Sequence, residues 1–323
     1  MSTLAKRNRP SRFPLSAVAQ LFPVQSRRRA KTLKRYIASV AVVLITAGCA
    51  GGPRDSSLPI VSQRPALPVD FFPWQKQQPV EIPVIAGAQL APSKPLRGLL
   101  SKPDGEGPFP AVILLHGCSG LGLETPDRST YKLLRDYAHR YNDRGYVALV
   151  LDSYQARGLV NVCRDAGGKL DQDGRTWDAY SAARYLKGLG YVDPKRIVVH
   201  GLANGGSTAL AIASRDDPAP EQIAAVIAMY PDCNLTPRFT APVLILAGGG
   251  DDWTPARDCQ AMVIAAPRTS TVSLKVYPGA SHEFDYPLPV RIDSQGHREA
   301  FDPDAAADSW NQIDAFLERH ARQ

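Results

Sequence analysis

The segment that most restricts how this chain can fold is Gly201-Leu202-Ala203-Asn204-Gly205-Gly206. Before it, Arg196 to His200 is a short apolar run with β-branched residues, bounded upstream by the turn-forming Asp193-Pro194-Lys195, and it reads as a buried strand. After it, Gly205 to Ala213 is small and apolar at helical spacing. Strand, sharp turn and helix therefore follow in immediate succession. Such a turn lifts one side chain above the end of a sheet, and it closes only if the flanking residues let strand and helix approach closely. Gly201, Gly205 and Gly206 meet that demand, and the residue lifted is Ala203. A phosphate-cradling turn is a poorer reading, because both the Gly-x-Gly-x-x-Gly register and a Gly-Lys-Ser/Thr ending are missing.

The same alternation recurs along the chain. Apolar runs predict strands at 79–86, 96–102, 110–116, 146–151, 196–200, 223–230, 242–247 and 272–277, and helical spacing predicts helices at 129–142, 173–189, 205–215, 256–265 and 303–321. Strands alternating with helices imply an α/β fold with a mostly parallel central sheet flanked by helices. Three of the strands run into polar loops rich in chemistry. His116-Gly117-Cys118-Ser119-Gly120 follows the third, Gly248-Gly249-Gly250-Asp251-Asp252-Trp253-Thr254-Pro255 follows the seventh, and Pro278-Gly279-Ala280-Ser281-His282-Glu283-Phe284 follows the eighth. With serine at position 203, the turn would be the G-x-S-x-G arrangement that presents a nucleophile, and the order nucleophile, acid, base along the chain would be complete.

On these residues the chain from about residue 80 onward resembles the dienelactone hydrolase family of α/β-hydrolases. The intervals, 48 residues from 203 to 251 and 31 from 251 to 282, are similar to the family's. The resemblance implies an α/β-hydrolase fold and a carboxylic ester or lactone hydrolase of Ser/Cys-His-Asp type, with position 203 as nucleophile, Asp251 as acid and His282 as base. Asp251 is preferred to Asp252 because the family's acid stands four residues before the proline. The oxyanion would be held by the backbone N–H groups of Asn204, at a helix start, and of Cys118, by resemblance. His116 reads as a loop-positioning residue.

The departure from the family is Ala203. Without a hydroxyl or thiol there is no acyl-enzyme, and His282 has only water to deprotonate. An engineered serine-to-alanine change and a natural loss of chemistry both fit the sequence, and a catalytically inactive pseudoenzyme that binds a ligand or partner is the alternative to a hydrolase. Ser207, one helical turn on, is expected to face along the helix. Cys118 as a free thiol nucleophile would sit on the wrong loop.

Asp152-Ser153-Tyr154-Gln155-Ala156-Arg157-Gly158 follows the strand ending at Leu151, at the rim where such sheets bind ligands. Because the family's substrates carry a carboxylate, Arg157 is a candidate clamp for one, and a solvated surface arginine is the competing reading. Tyr154 and Trp253 are candidate pocket walls or simple loop anchors. The expected ligand is a small ester or lactone; no metal or organic cofactor is required, and neither the physiological substrate nor the oligomeric state is written in the sequence.

The first 36 residues carry ten Lys and Arg and no acid, and Ile37 to Gly48 is uncharged and mostly apolar. These read as the n-region and h-region of an export signal rather than as a nucleic-acid arm. Leu44-Ile45-Thr46-Ala47-Gly48-Cys49 looks like a bacterial lipobox, with Cys49 acylated. The expected organisation is therefore a lipoprotein signal peptide at 1–48, a lipid anchor and Pro-rich tether at 49–78, and one domain at 79–323 facing the periplasm from the outer membrane. Taking the ten leader cations from the net charge of +7 leaves −3, so the basic balance of the whole chain says nothing about partners. Four cysteines remain in an oxidising compartment. Cys118–Cys163 and Cys233–Cys259 are the expected disulfides, joining loops at adjacent strand ends, and the other two connectivities stay open.

Overall fold

The computed structural model describes residues 77–321, apart from 86–89, 123–129, 165–166, 216–219, 288 and 294. The leader expected at 1–48, the acylated Cys49 and all but the end of the tether lie outside the described residues. No helix among the described residues is long and apolar enough to cross a membrane.

The apolar runs become the strands β1 (Gln78–Ile82), β2 (Leu96–Ser101), β3 (Phe109–Leu115), β4 (Val147–Asp152), β5 (Val192–Leu202), β6 (Ala225–Met229), β7 (Val243–Gly248) and β8 (Val272–Tyr277). They form one sheet in the order β1-β2-β4-β3-β5-β6-β7-β8. Strand β2 is antiparallel to both β1 and β4, and from β4 to β8 every pairing is parallel. The central strands are apolar on both faces because both faces are covered, as a parallel sheet requires. In β3, Ala111, Ile113 and Leu115 enter one core layer and Val112 and Leu114 the other; in β4, Val147, Leu149 and Leu151 alternate in the same way with Ala148 and Val150. Each such fully buried Val, Leu or Ile contributes roughly 1.5–3 kcal/mol relative to exposure.

Five helices cover the sheet: α1 (Thr130–Asp143), α2 (Gln172–Lys187), α3 (Asn204–Ala213), α4 (Ala256–Ala265) and α5 (Pro303–His320). The buried faces of α2, α3 and α4 share one layer, and those of α1 and α5 share the other. Local chemistry fixes their starts. The Asp171 side chain accepts from the Gly174 N–H at the head of α2, and Asp302 accepts from Asp304 and Ala305 ahead of Pro303 at the head of α5.

Two features differ from the sequence expectation. Strand β5 begins at Val192, not at residue 196: Phe109 pairs with Val192 and Ala111 with Ile197, so the Asp193-Pro194-Lys195 turn is an excursion within the strand. Its Asp193 side chain accepts from the Lys195 N–H, an Asx turn. Beyond β8, a short hairpin of β9 (Arg291–Ile292) and β10 (Arg298–Glu299) has no counterpart in the sequence reading.

Candidate active site

The elbow is set by packing of backbone on backbone. A Cβ on Gly201 would lie 1.9 Å from the Gly205 carbonyl oxygen, and one on Gly205 would lie 2.4 Å from that of Leu115. With those two residues reduced to glycine, the head of α3 sits directly over the ends of β5 and β3, and the residue between is forced out of ordinary backbone space. Ala203 takes φ 49° and ψ −116°. Its N–H donates to the Met229 carbonyl at 3.0 Å, and its carbonyl accepts from the Ser207 N–H at 2.9 Å. Ser207 Oγ also lies 3.3 Å from the Ala203 carbonyl oxygen and accepts from the Asp232 N–H at 3.0 Å, so this hydroxyl is bound back along the helix as expected.

Across from the elbow, the loops after β7 and β8 bring Asp251 and His282 together. His282 Nδ1 is 2.7 Å from Asp251 Oδ2, and both side chains are buried. Asp251 Oδ1 accepts from the N–H groups of Trp253 and Thr254 at 2.9 and 2.8 Å. Thr254 Oγ1 lies 2.8 Å from Asp251 Oδ2 and 3.1 Å from the Tyr230 carbonyl oxygen, tying this turn to the end of β6. The carboxylate thus fixes the proton on Nδ1 and leaves Nε2 as the acceptor, by the logic of the network. Burial works against charge on both partners, but their hydrogen bond and mutual attraction override it: Asp251 ends below its ordinary value and His282 above.

Between the two neighbouring aspartates the geometry is decisive. Asp252 is exposed and its Oδ1 lies 3.3 Å from His297 Nδ1. Trp253 sits between the two histidines, tilted against His282 at 5.0 Å and stacked on His297 at 5.0 Å. It lines the cleft.

Ala203, His282, Trp253, Cys118 and Cys163 all border two joined lobes, one of about 480 Å³ and one of about 350 Å³. Positions 203 and 282, far apart in sequence, therefore border one crevice, and Asp251 lies behind it on the buried Nδ1 side of His282. The larger lobe runs toward Arg164, Glu283, Arg291 and Glu299; the smaller runs toward Gln172, Ser207, Asp232 and Asp258. Glu283 is a member that the sequence reading missed. Burial, with the charge of Glu299 adding to it, pushes its pKa up to about 7, even though Arg291 lies 3.2 Å away. Among the described residues, no group of three or more His, Cys, Asp or Glu side chains is placed to hold a metal ion.

Both expected disulfides are present, Cys118–Cys163 and Cys233–Cys259. The first joins the loop after β3 to the segment over the cleft, where the Val162 N–H also donates to the Cys118 carbonyl at 2.8 Å. The second joins the chain after β6 to α4, beside the turn that carries Asp251.

Two expected pocket residues are not in the pocket. Arg157 is no clamp for a ligand and no surface arginine: it is buried in a bidentate pair with Asp178, at 2.8 and 2.9 Å, and donates to the carbonyls of Ser153 and Leu90. Tyr154 is buried under the loop after β3, edge-on to His116 at 4.3 Å. A one-turn 3-10 helix at Gln155–Arg157 curls the chain inward directly after β4, and this turns both side chains away from the rim. His116 plays the positioning part expected of it. It is fully buried, its Nε2 accepts from the Ser153 N–H at 3.3 Å, and burial holds it neutral by lowering its pKa to about 3.

Residues 96–321 match the model of the dienelactone hydrolase family. Protein usf of Aquifex pyrophilus is 24% identical over 237 residues, covering 70% of this chain and 94% of its own length. Among solved structures, a dienelactone hydrolase of Anabaena variabilis superposes with a TM-score of 0.53 at 18% identity, covering 76% of this chain and 100% of that one. A dienelactone hydrolase-like promiscuous phosphotriesterase from metagenomic libraries superposes with a TM-score of 0.55 at 19% identity, covering 76% and 99%. These structures share the α/β-hydrolase sheet, and the family match extends from β2 to the end of α5: the chain belongs to the dienelactone hydrolase family.

Proposed function

We propose that the cleft is that of a carboxylic ester or lactone hydrolase of Ser/Cys-His-Asp type whose nucleophile position is filled by Ala203. The observation that carries this reading is the 2.7 Å contact between His282 Nδ1 and Asp251 Oδ2, made in the same cleft as an elbow residue held at φ 49°. A hydroxyl on residue 203 would give its proton to His282 Nε2 and attack the carbonyl carbon. The N–H groups of Asn204 and Cys118 would hold the developing oxyanion, and water would then release the acid. A methyl group does none of this. The chain as it stands is left with ligand binding and with whatever water His282 can activate, a residue of about 10³ to 10⁴-fold over uncatalysed hydrolysis when a triad member is lost.

The test is to assay the chain and Ala203→Ser side by side on small chromogenic esters and lactones. The serine form is expected to show a burst of leaving group followed by turnover, and the alanine form no burst. A serine form as inert as the alanine form overturns the reading.

The second reading, a pseudoenzyme anchored to the cell envelope that binds an ester-like or carboxylate ligand, is favoured by the Ala203 methyl itself. Export is part of the proposal in either case, supported by the basic and apolar leader before Cys49 and by two disulfides that an oxidising compartment would preserve. Metabolic labelling with a radioactive fatty acid tests it: label lost on Cys49→Ala is expected, and label unchanged by that substitution refutes acylation there.

A further inference from the structure

We infer that Arg175 is the positioning residue of the oxyanion donors, a buried cation on α2 that pins the elbow to the loop after β3. The inference rests on the hydrolase reading above, since it concerns the same acyl-transfer site. Arg175 is 2% exposed. Its Nη2 donates to the His116 carbonyl at 2.8 Å, and its Nη1 donates to the side-chain Oδ1 of Asn204. The two segments that carry the expected donors, Cys118 on one loop and Asn204 at the head of α3, are thus held by the two arms of one planar guanidinium.

The charge of this group is as telling as its shape. Burying a cation costs several kcal/mol unless an anion meets it. The carboxylate one turn along α2, Asp178, is already engaged, because Arg157 occupies both of its oxygens. Burial lowers the pKa of Arg175, outweighing Asp178 and Asp152, which attract it without a hydrogen bond. Arg175 donates only to neutral carbonyl oxygens, its Nε has no partner, and its guanidinium carbon lies 5.4 Å from the centre of the Tyr154 ring. That explains why Tyr154 is buried between Arg175 and His116. An apolar side chain in this place would avoid burying the charge but could not bridge the His116 carbonyl and the Asn204 side chain. A fixed positive charge beside both donor segments also favours negative charge arising between them, in a site where the field is weakly screened.

Two measurements test this. In the Ala203→Ser form, Arg175→Gln is expected to lower kcat by about 10 to 100-fold with KM changed less than about threefold, because the lost interaction strengthens only as the oxyanion forms. Arg175→Lys, which keeps the charge but cannot reach both acceptors in one plane, is expected to fall between. In the unsubstituted chain, phenylphosphonate serves as a tetrahedral oxyanion probe and benzamide as its neutral control. Titration calorimetry is expected to show phenylphosphonate binding weakened about tenfold by Arg175→Gln, with benzamide unaffected. If Arg175→Gln unfolds, Asn204→Asp replaces it: the new carboxylate neutralises the guanidinium without opening a cavity, and should weaken phenylphosphonate binding in the same direction. An inert Ala203→Ser form combined with Arg175-dependent phenylphosphonate binding would overturn the hydrolase reading and with it the catalytic part of the inference, leaving Arg175 as the residue that positions an anion site. An active Ala203→Ser form in which Arg175→Gln leaves kcat unchanged, or lowers binding of phenylphosphonate and benzamide alike, overturns the inference.

Discussion

At the elbow, Ala203 is held at φ 49° although its side chain neither donates nor accepts a hydrogen bond, whereas on the facing loops the side chain of Asp251 meets two N–H groups, a hydroxyl and an imidazole. The two sides of the cleft are thus held by different means. The elbow geometry comes from the backbone: Gly201 against Gly205, and Gly205 against the end of β3, bend the chain whatever residue stands between. The geometry of the base comes from side chains, and it lasts only as long as those side chains do. Loss of the nucleophile therefore leaves its backbone seat intact, while loss of the acid would dismantle the dyad. Substitutions on the two sides should accordingly differ in kind.

The largest difference is expected from Asp251→Asn in the Ala203→Ser form. Removal of a triad member of this kind lowers kcat by about 10⁴-fold, because the imidazole loses its tautomer and the stabilisation of its charged form. The pH profile should move as well. With Asp251 present, the His282 pKa lies above 6.5, and activity, which needs the neutral ring, falls as pH drops through that raised value. Once Asp251→Asn removes the carboxylate, burial of the imidazole is opposed only by the weaker attraction of Glu283 and Glu299, so the acid limb shifts to lower pH. Stability gives an independent check on the unsubstituted chain. The raised His282 pKa contributes stability that is fully present below 6.5 and lost as pH rises through the folded value; the lowered Asp251 pKa contributes stability present above 3.8 and lost as pH falls through its folded value. The Tm gap between the chain and Asp251→Asn should therefore be widest near pH 5 and narrow toward pH 9. A gap that does not change with pH would mean that the pair does not titrate as a unit.

This division also governs what could be read from the sequence. The elbow, the eight strands of the large sheet and the five helices were legible because each is a local pattern: small residues at a turn, continuous apolar runs in doubly covered strands, helical spacing on the flanks. His282 and the acid region were legible from order and spacing, and the preference for Asp251 over Asp252 agrees with the side chain that meets the imidazole. The buried polar scaffold was not. Arg157, Asp178 and Arg175 resemble surface residues in sequence because what buries them is a partner from a distant segment, and such a partner leaves no periodic trace. Tyr154 and Arg157 were placed at the correct end of β4, but position along a strand does not say that a 3-10 turn will curl the side chains beneath the loop. The β9 and β10 strands, two residues each, are too short to carry alternation.

The disulfides extend the comparison at an intermediate scale. Cys118–Cys163 closes a separation of 45 residues on the elbow side, and Cys233–Cys259 closes 26 on the acid side. Chain entropy alone gives about 4 and about 3.5 kcal/mol for the two closures. The paired Cys→Ala variants should lose close to those amounts in urea unfolding, with the elbow-side pair costing slightly more. Reduction should rank them by access instead. Cys118 and Cys163 are partly exposed at the cleft, whereas Cys233 and Cys259 are buried, so mild dithiothreitol followed by alkylation under native conditions should label the first pair before the second. Simultaneous labelling would show that the two sides of the cleft open together, and the distinction between them would fall.

The smallest expected effect probes the elbow directly. A non-glycine residue at φ 49° and ψ −116° carries strain of roughly 1–3 kcal/mol, held there by the surrounding packing. If that strain belongs to the backbone, Ala203→Gly should release it. Glycine's greater freedom in the unfolded chain offsets roughly 0.5–1 kcal/mol, leaving a net gain of about 1 kcal/mol, read as a higher urea midpoint at unchanged slope. Ala203→Ser, by contrast, keeps the same backbone demand and should lie within about 0.5 kcal/mol of the unsubstituted chain while gaining the chemistry. A glycine variant less stable than the alanine chain would mean that the buried methyl contributes more by packing against the Gly117 loop than its backbone conformation costs. The elbow would then be held, as the base is, by its side chain.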